Sequence, residues 1–243
     1  MIHPAWVSGA FGPIALRSPH PHCPNPTTLA EMTGFSSFDF DALYRGESPA
    51  EGVPAMTAIP WDSKAPKESV IAWQEAGLIR GDVLDIGCGL GDNAIYLAQH
   101  GHSVTGLDIS PTALITAERR ALDARVNVRF AVTDATALDG YPGAFDTVID
   151  SGCYHCLDDA AKRDYATAVH RATRPGATLL ISAFSDANAT AGDWPRPMVS
   201  EQTLRDTLGG AGWTIASLET ITVAIDDEQT GALMWMLTAT RAD

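Results

Sequence analysis

Residues 83–93 read Val83-Leu84-Asp85-Ile86-Gly87-Cys88-Gly89-Leu90-Gly91-Asp92-Asn93. An apolar run gives way to three alternating glycines, which let the backbone turn sharply from a strand into a helix and approach a ligand closely. The dinucleotide-binding fingerprint requires glycine or alanine at position 92, where this chain has aspartate. Because a carboxylate there disfavours phosphate at the helix N-terminus, we predict a ligand that is not anchored by phosphate. An ordinary tight strand-to-helix turn is the alternative.

Acidic residues recur where successive predicted strands end. Asp85 and Asp108 end the first two strands, with Asp108 lying 21 positions after Gly87, and Asp134 and Asp150 follow the next two. Parallel strands place their carboxyl ends side by side, so these carboxylates are expected along one edge of a sheet, where Asp108 suits ribose hydroxyls. The series favours a cationic, ribose-bearing ligand with an amino group. Taken singly, Asp108 could instead complement a helix dipole and Asp134 could be a turn residue.

Strand and helix patterns alternate through most of the chain. Strands are expected over residues 83–86, 103–107, 126–132, 145–149 and 177–184, and helices over residues 93–100, from Pro111 with Ser110 as its cap, and over residues 158–173. This alternation predicts a mostly parallel sheet with helices on both faces. After a helix capped by Ser200, two strand-like runs over residues 214–225 and 232–240 are joined by so short a link that they must be antiparallel.

The composition bounds the class of protein. The 243 residues are 45% hydrophobic and 19% charged, as in a globular chain long enough to bury a core. A formal net charge of −14 would repel a nucleic-acid backbone, so nucleic acid is not an expected partner. Four cysteines are too few for a disulfide scaffold, and no run approaches the roughly 18 apolar residues of a membrane span. We therefore expect a cytoplasmic protein without a membrane span.

The N-terminal segment differs from the rest. Residues 1–31 contain six of the fifteen prolines and no sustained helical or strand period, which makes them a poor folding unit. We predict a disordered extension there, or a true start at Met32, followed by one domain over residues 32–243.

Four motifs around the glycine loop resemble those of a known family. DIGCGLGDNA, LDIS, TDAT and FDTVIDSG are similar to successive motifs of the class I S-adenosylmethionine-dependent methyltransferases. The resemblance is strong over residues 80–185. It implies a Rossmann-like, doubly wound, seven-stranded and mostly parallel sheet with a C-terminal antiparallel strand, and S-adenosylmethionine as the cofactor.

The resemblance also implies which residues bind the cofactor. Asp85 and the backbone of residues 87–91 would meet the methionine part, Asp108 the ribose, and Asp134 with Ala135 the adenine. Asp150 and Ser151 would close the cleft. The implied cofactor-binding set is Trp61, Asp85, Gly87, Cys88, Gly89, Gly91, Asn93, Asp108, Ile109, Ser110, Asp134, Ala135, Asp150 and Ser151.

A second resemblance lies before the glycine loop. FDFDALYRG, at residues 38–46, and the later Ile59-Pro60-Trp61-Asp62 are similar to the lid of thiopurine and tellurite-resistance methyltransferases, and most similar to mycobacterial benzoquinone or heterocyclic-toxin methyltransferases. The resemblance implies that Trp61 covers the cofactor and that Tyr44 and Arg45 contact substrate. It divides the domain into a lid, residues 32–66, and a core, residues 67–243.

The segment after the fourth strand is expected to border the acceptor. Cys153-Tyr154-His155-Cys156 has C-x-x-C spacing, but no second pair completes a zinc site, so no metal is expected. Tyr154 and His155 are candidate pocket residues, with His155 as a possible general base. A packed histidine at a helix start is the alternative. Phe184 and Trp194 are further substrate candidates, although Trp194 could equally be a packing residue.

The expected chemistry needs no metal, because the leaving group departs from a sulfonium as a neutral species and the protein mainly aligns the reactants. Arg45, His155 and Asp41 are the candidates for removing a proton from the acceptor or favouring its anion. We predict methyl transfer to a hydroxyl group or ring nitrogen of a small heteroaromatic or quinol, in detoxification, by a monomer or homodimer. The alternatives are S-methylation of thiols or thiopurines, tellurite resistance, a non-catalytic cofactor-binding sensor, and a nicotinamide dehydrogenase, which Asp92 disfavours.

Overall fold

The computed structural model of the chain describes residues 38–191, 197–224 and 231–242. Its strands are β1 (Asp82–Ile86), β2 (Ser103–Asp108), β3 (Arg129–Val132), β4 (Phe145–Ser151), β5 (Thr173–Phe184), β6 (Trp213–Ala224) and β7 (Gly231–Arg241). Its α-helices are α1 (Phe40–Tyr44), α2 (Glu68–Glu75), α3 (Asp92–Gln99), α4 (Pro111–Asp123), α5 (Asp159–Ala172) and α6 (Glu201–Gly210). The predicted extension over residues 1–31, the alternative start at Met32 and the substrate candidate Trp194 lie outside the described residues.

The described strands form one seven-stranded sheet in the order β3-β2-β1-β4-β5-β7-β6. The first five of these pair in parallel, whereas β7 lies between β5 and β6 and is antiparallel to both. The predicted fold class is therefore confirmed, including the C-terminal antiparallel pair. The strand order reverses between β1 and β4, and in such sheets ligands bind outside the carboxyl ends of the strands at that point.

The two ends of α4 explain why its predicted start is correct and why the predicted start of β3 is not. Ser110 caps α4 as predicted, because its side chain accepts a hydrogen bond from the Ala113 N–H. The third strand begins at residue 129 rather than 126. Arg125 has a positive φ of 57°, and the Val126 N–H donates to the Ala121 carbonyl in a Schellman-type helix end. Val126 thus closes α4 instead of opening β3.

The alternation along β1 decides which face of the sheet each acidic side chain occupies. Val83 packs in an apolar cluster with residues of α2 and α3, whereas Leu84 and Ile86 pack in the cluster beneath α5 and α6. Successive side chains of a strand point to opposite faces, so Asp85 faces the side of α2 and α3. Asp150 pairs in register with Ile86 and therefore faces α5 and α6. Two carboxylates expected at one edge of the sheet thus lie on opposite faces.

Within the described part of the chain, none of the helices has the length and apolar character needed to cross a bilayer.

Candidate active site

The glycine loop between β1 and α3 is packed closely on both sides. Gly87 has a φ of 68°, and a Cβ there would stand 2.6 Å from the Cys153 Cβ. Gly89 has a φ of 53°, and a Cβ there would stand 2.9 Å from the hydroxyl oxygen of Tyr44. Since L-residues rarely adopt these angles and the space is taken, both positions require glycine.

Asp85 lies at the start of this loop and is buried, with 1% of its surface exposed. Among the buried side-chain nitrogen and oxygen atoms of the described residues, its Oδ2 alone has no hydrogen-bond partner. Burial, reinforced by the charge of Asp150, raises the pKa of Asp85 to about 8, against an opposing hydrogen bond from the Ala94 backbone. A buried acceptor left unpaired is costly, so the site favours a ligand that supplies a cation or a donor.

Asp108 lies on the same face as Asp85 and fastens the loop to the next strand. Its Oδ2 accepts from the Gly89 N–H at 2.7 Å, and its Oδ1 accepts from the Ser110 N–H at 2.9 Å. Burial raises its pKa, although these backbone hydrogen bonds act in the opposite direction.

Apolar surface lies beside Asp108. Ile109 is 58% exposed, and Val132, which pairs in register with Asp108, is 56% exposed. Asp134 is exposed nearby and accepts from both the N–H and the hydroxyl of Thr136 at 2.8 and 2.7 Å, which is the geometry of a turn residue. The carboxyl ends of β2 and β3 therefore offer an apolar platform next to a buried carboxylate.

The lid covers the loop with aromatic side chains. The Trp61 Nε1–H donates to the Tyr44 hydroxyl at 2.8 Å, and the two rings meet edge to face at 6.0 Å. Phe40 adds a third ring, 6.1 Å from that of Trp61. Burial raises the pKa of Tyr44 well above its ordinary value, and the nearby charge of Asp108 acts in the same direction.

The segment after β4 is organised by Asp150. Its carboxylate accepts from the Cys153 N–H at 2.9 Å, the Tyr154 N–H at 3.0 Å and the Tyr165 hydroxyl of α5 at 2.8 Å. Burial raises its pKa to about 6, and these hydrogen bonds oppose the rise. All of its partners shown here are donors within the chain. Asp150 therefore holds the 153–156 segment in place, which differs from its expected position in the cofactor cleft.

Comparisons with known proteins agree with this arrangement. A family profile described as a methyltransferase domain matches residues 83–176. Over 178 residues the chain is 36% identical to the 2-heptyl-1-hydroxyquinolin-4(1H)-one methyltransferase of Mycobacteroides abscessus, covering 72% of this chain and 76% of that protein. The chain belongs to the class I S-adenosylmethionine-dependent methyltransferases. S-adenosylmethionine is accordingly the cofactor of this methyltransferase.

Solved structures that resemble this chain have the same fold. One, from work on the conversion of a disulfide bond into a thioacetal group during echinomycin biosynthesis, is 38% identical, with a TM-score of 0.73 over 84% of this chain and 90% of that chain. The 1,6-didemethyltoxoflavin-N1-methyltransferase of Burkholderia thailandensis, with bound 1,6-didemethyltoxoflavin and S-adenosylhomocysteine, is 25% identical, with a TM-score of 0.59 over 75% of this chain and 81% of that chain.

The residues of this methyltransferase fit the cofactor. The unpaired Oδ2 of Asp85 is an acceptor suited to an ammonium group. Asp108 adds a buried carboxylate beside the exposed apolar surface of Ile109 and Val132.

Several residues of the implied cofactor set are used within the chain instead. The Asn93 Oδ1 accepts from the Lys67 N–H at 2.9 Å, which anchors the end of the lid to α3. The Ser110 hydroxyl donates to Asp41 at 2.6 Å while it caps α4. Cys88 is buried against β2. Of the remaining members, Gly91 directly precedes α3, Ser151 ends β4, and Ala135 packs against the apolar cluster beneath α5 and α6.

The three candidates for acid–base chemistry are differently placed. The Nδ1 of His155 accepts a 3.4 Å hydrogen bond from the Phe184 N–H, so we assign the proton of the neutral ring to Nε2. The His155 and Phe184 rings lie 4.9 Å apart. Arg45 forms ion pairs with three carboxylates, those of Asp39, Asp41 and Glu47. The geometry thus favours the packed alternative for His155 and surrounds Arg45 with opposite charge.

Asp41 docks the lid on α4. Its Oδ1 accepts from the Ser110 hydroxyl at 2.6 Å and the Thr112 N–H at 3.0 Å. Burial alone would raise its pKa, but these hydrogen bonds and the charge of Arg45 outweigh it and lower the pKa. A carboxylate held in this way is a weak base, which differs from the expected catalytic role.

Tyr154 is a core residue, not a pocket residue. Its ring is fully buried and meets the Tyr165 ring edge to face at 5.3 Å, and its hydroxyl is hydrogen-bonded to Thr207 of α6. Tyr154 lies on the same face of the sheet as Asp150, which explains why it points away from the glycine loop.

The neighbouring cysteines are protonated thiols. Burial raises the pKa of Cys153 well above its ordinary value and that of Cys156 to about 12. Among the residues that the structure describes, no group of three or more His, Cys, Asp or Glu side chains is arranged to hold a metal ion.

Sequence reasoning missed Arg120. Its guanidinium binds both Asp62 of the lid and Asp92 at the start of α3. These partners lie 58 and 28 residues away in the sequence, and Arg120 is one of two consecutive arginines on a helix. No local sequence feature distinguishes Arg119 from Arg120, so only the fold identifies Arg120 as the residue that bridges the two carboxylates.

Proposed function

We propose that this methyltransferase transfers the methyl group of S-adenosylmethionine to a hydroxyl group, or a ring nitrogen, of a small heteroaromatic or quinol, in the manner of a detoxifying enzyme. The observation that carries the acceptor class is the aromatic lid, in which Tyr44 and Trp61 lie above Gly89 and the Phe40 ring lies beside that of Trp61. Flat apolar rings recognise aromatic ligands by stacking and edge-to-face contact. The 36% identity to a hydroxyquinolone methyltransferase supports the same acceptor class.

The cofactor-binding roles follow from the chemistry of each group. Asp85 would accept from the cofactor's amino group, Asp108 from its ribose hydroxyls, and the Ile109 and Val132 side chains would pack on its adenine. When bound, S-adenosylmethionine supplies a methyl group on a sulfonium, which leaves as a neutral thioether. Trp61 and Tyr44 would cover the site and exclude water.

Removal of the acceptor proton is the remaining task. Of the three candidate residues, His155 has its Nδ1 hydrogen-bonded, Arg45 is surrounded by carboxylates and Asp41 holds the lid. We therefore propose that the protein supplies alignment, which can be worth about 7–11 kcal/mol, and that the acceptor brings its own acidity. Phenols and N-hydroxy heteroaromatics, which ionise readily, are the preferred acceptors.

We further propose that residues 32–66 are the lid of a single domain that continues to residue 243. The Lys67 N–H is bonded to Asn93 on α3, so the chain is fixed to the core where the lid ends. Ahead of that point, lid side chains reach the core through Asp41 and Asp62.

The experiment is a transfer assay with methyl-labelled S-adenosylmethionine and a panel of hydroxyquinolines, quinols, nitrogen heterocycles, thiols and tellurite. We expect label on the oxygen or nitrogen acceptors, with a rate that follows the ionised fraction of each acceptor across pH. Tight cofactor binding without transfer to any acceptor would instead support a sensor.

A sulfur acceptor is the second candidate, because the 38% identical solved structure comes from work on sulfur chemistry, the conversion of a disulfide bond into a thioacetal group. The same panel separates the two candidates: preferential labelling of thiols or thiopurines would replace the oxygen or nitrogen acceptor with sulfur.

A further inference from the structure

Arg120, on the third turn of α4, joins the lid to the glycine loop. Its Nη1 lies 2.8 and 3.0 Å from the two carboxylate oxygens of Asp92. The same guanidinium meets Asp62 in a two-pronged contact, with Nη1 at 3.0 Å from Oδ1 and Nη2 at 2.9 Å from Oδ2. All three side chains are only partly exposed. One cation therefore holds two carboxylates from separate parts of the chain.

The two-pronged contact between Arg120 and Asp62 depends on the geometry of the guanidinium group. A guanidinium binds a carboxylate through a planar fork that a lysine ammonium cannot reproduce. Burial alone would raise the pKa of Asp62, yet the hydrogen bonds and charge of Arg120 outweigh it and hold that pKa below its ordinary value. Asp62 is thus ionised and bound to Arg120 across the neutral pH range.

Asp62 is next in sequence to a residue that covers the glycine loop, and Asp92 is next in sequence to the loop itself. Asp62 follows Trp61, whose indole N–H is bonded to Tyr44 above Gly89. Asp92 follows directly on the last glycine of the loop and begins α3. Since Asp92 belongs to the packed core and Asp62 to the lid, opening the lid would break the Asp62 contact and leave the Asp92 contact in place.

We propose that Arg120 is a positioning residue for the cofactor: it holds Trp61 over the glycine loop by clamping Asp62 to Asp92, and so slows cofactor release. Arg120 acts through the lid and touches no reacting atom. The proposal rests on the placement of the cofactor over residues 87–91 given above.

The test measures binding and dissociation of S-adenosylhomocysteine, which needs no acceptor. Arg120→Met and Asp62→Asn should each weaken binding by on the order of tenfold, mainly through faster dissociation, and the double variant should be no weaker than the weaker single variant because both remove one contact. Arg119→Met, at the exposed neighbour on the same helix, should stay within about twofold. Arg120→Lys should restore little, since it lacks the fork.

Steady-state kinetics give an independent readout. A clamp predicts a raised KM for S-adenosylmethionine with kcat retained or increased, because product release becomes faster. A merely stabilising role would lower the unfolding temperature without altering dissociation, and that result would overturn the proposal. So would additive effects of Arg120→Met and Asp62→Asn, or an effect of Arg120→Met equal to that of Arg119→Met.

Asp85→Asn separates this proposal from the cofactor placement beneath it, because Asp85 lies under the loop and not in the lid. If a folded Asp85→Asn variant binds S-adenosylhomocysteine normally, the placement over the loop is wrong. If Asp85→Asn weakens binding and Arg120→Met does not, the placement stands and the clamp is wrong.

Discussion

The indole N–H of Trp61 donates a 2.8 Å hydrogen bond to the hydroxyl oxygen of Tyr44, which joins two parts of the lid that lie 17 residues apart in sequence. The pair stands directly above Gly89. Asp41 and Asp62 dock the lid on α4 on either side of this pair, one at the first turn of the helix and one through Arg120. Through Asp41 the lid is fixed to the turn that follows β2, and through Asp62 and Arg120 it is fixed to the end of the glycine loop at Asp92.

Breaking the Trp61–Tyr44 hydrogen bond should weaken cofactor binding. Trp61→Phe removes the donor and Tyr44→Phe removes the acceptor, while each keeps an aromatic ring. A neutral hydrogen bond contributes about 0.5–1.5 kcal/mol, so we expect each variant to raise the Kd for S-adenosylhomocysteine by roughly two- to tenfold, measured by calorimetry. Trp213→Phe is the control, because its indole N–H donates to Ala166 in the core. Equal weakening by all three variants would contradict a lid role.

Cofactor binding should release a proton from Asp85. In the free protein the pKa of Asp85 is raised to about 8 by burial and the charge of Asp150, so below that pH the carboxyl is mainly protonated. Pairing with an ammonium group favours the ionised form and lowers the pKa, so affinity should rise as pH increases toward about 8.

Calorimetry at pH 7 in two buffers of different ionisation enthalpy measures the number of protons released when S-adenosylhomocysteine binds. Asp85→Asn should abolish this release and weaken binding by on the order of tenfold or more, the loss of about one charged contact. Asp82→Asn, at the opposite end of β1, should change neither. Proton uptake, or an unchanged count in Asp85→Asn, would show that Asp85 is not the ammonium partner.

The same carboxyl should make the cofactor-free protein less stable as pH rises. The unfolded chain loses the Asp85 proton near the ordinary pKa of 3.8, whereas the folded protein keeps it up to about 8. Between these values the folded state binds more protons, so the free energy of unfolding falls with increasing pH. Relative to Asp85→Asn, wild-type stability should therefore decline across this range, as measured by urea unfolding. A constant difference would mean that the pKa of Asp85 is not raised.

His155 should tolerate a substitution that keeps its acceptor. In His155→Asn the side-chain oxygen can accept from the Phe184 N–H in place of Nδ1, whereas His155→Phe has no acceptor. We expect His155→Asn to retain kcat within about threefold and His155→Phe to lose more, because losing the hydrogen bond to the Phe184 N–H costs about 0.5–1.5 kcal/mol. If the two variants lose activity equally and the fall of the wild-type rate at acidic pH disappears in both, His155 is a general base.

The sequence predicted local features better than orientation. Ser110 and Pro111 predict the start of α4 from adjacent residues alone, and the alternating glycines predict the turn between β1 and α3. Asp85 and Asp150 have the same sequence signal, an aspartate near the end of an apolar strand. They differ in function because a one-residue difference in register turns one toward the loop and the other toward α5. Register is set by pairing between strands distant in sequence, so no local pattern reveals it.

Transfer of labelled methyl groups tests the central claim most directly. Wild type and Asp85→Asn are incubated in parallel with labelled S-adenosylmethionine and the hydroxyquinolines and quinols, and the labelled product is identified by mass spectrometry. We predict label on an acceptor oxygen or ring nitrogen with wild type, and a rate at subsaturating cofactor reduced by on the order of tenfold in the variant. Wild type that binds S-adenosylmethionine but labels no aromatic acceptor would contradict the proposed function, and an undiminished rate in Asp85→Asn would contradict the proposed site.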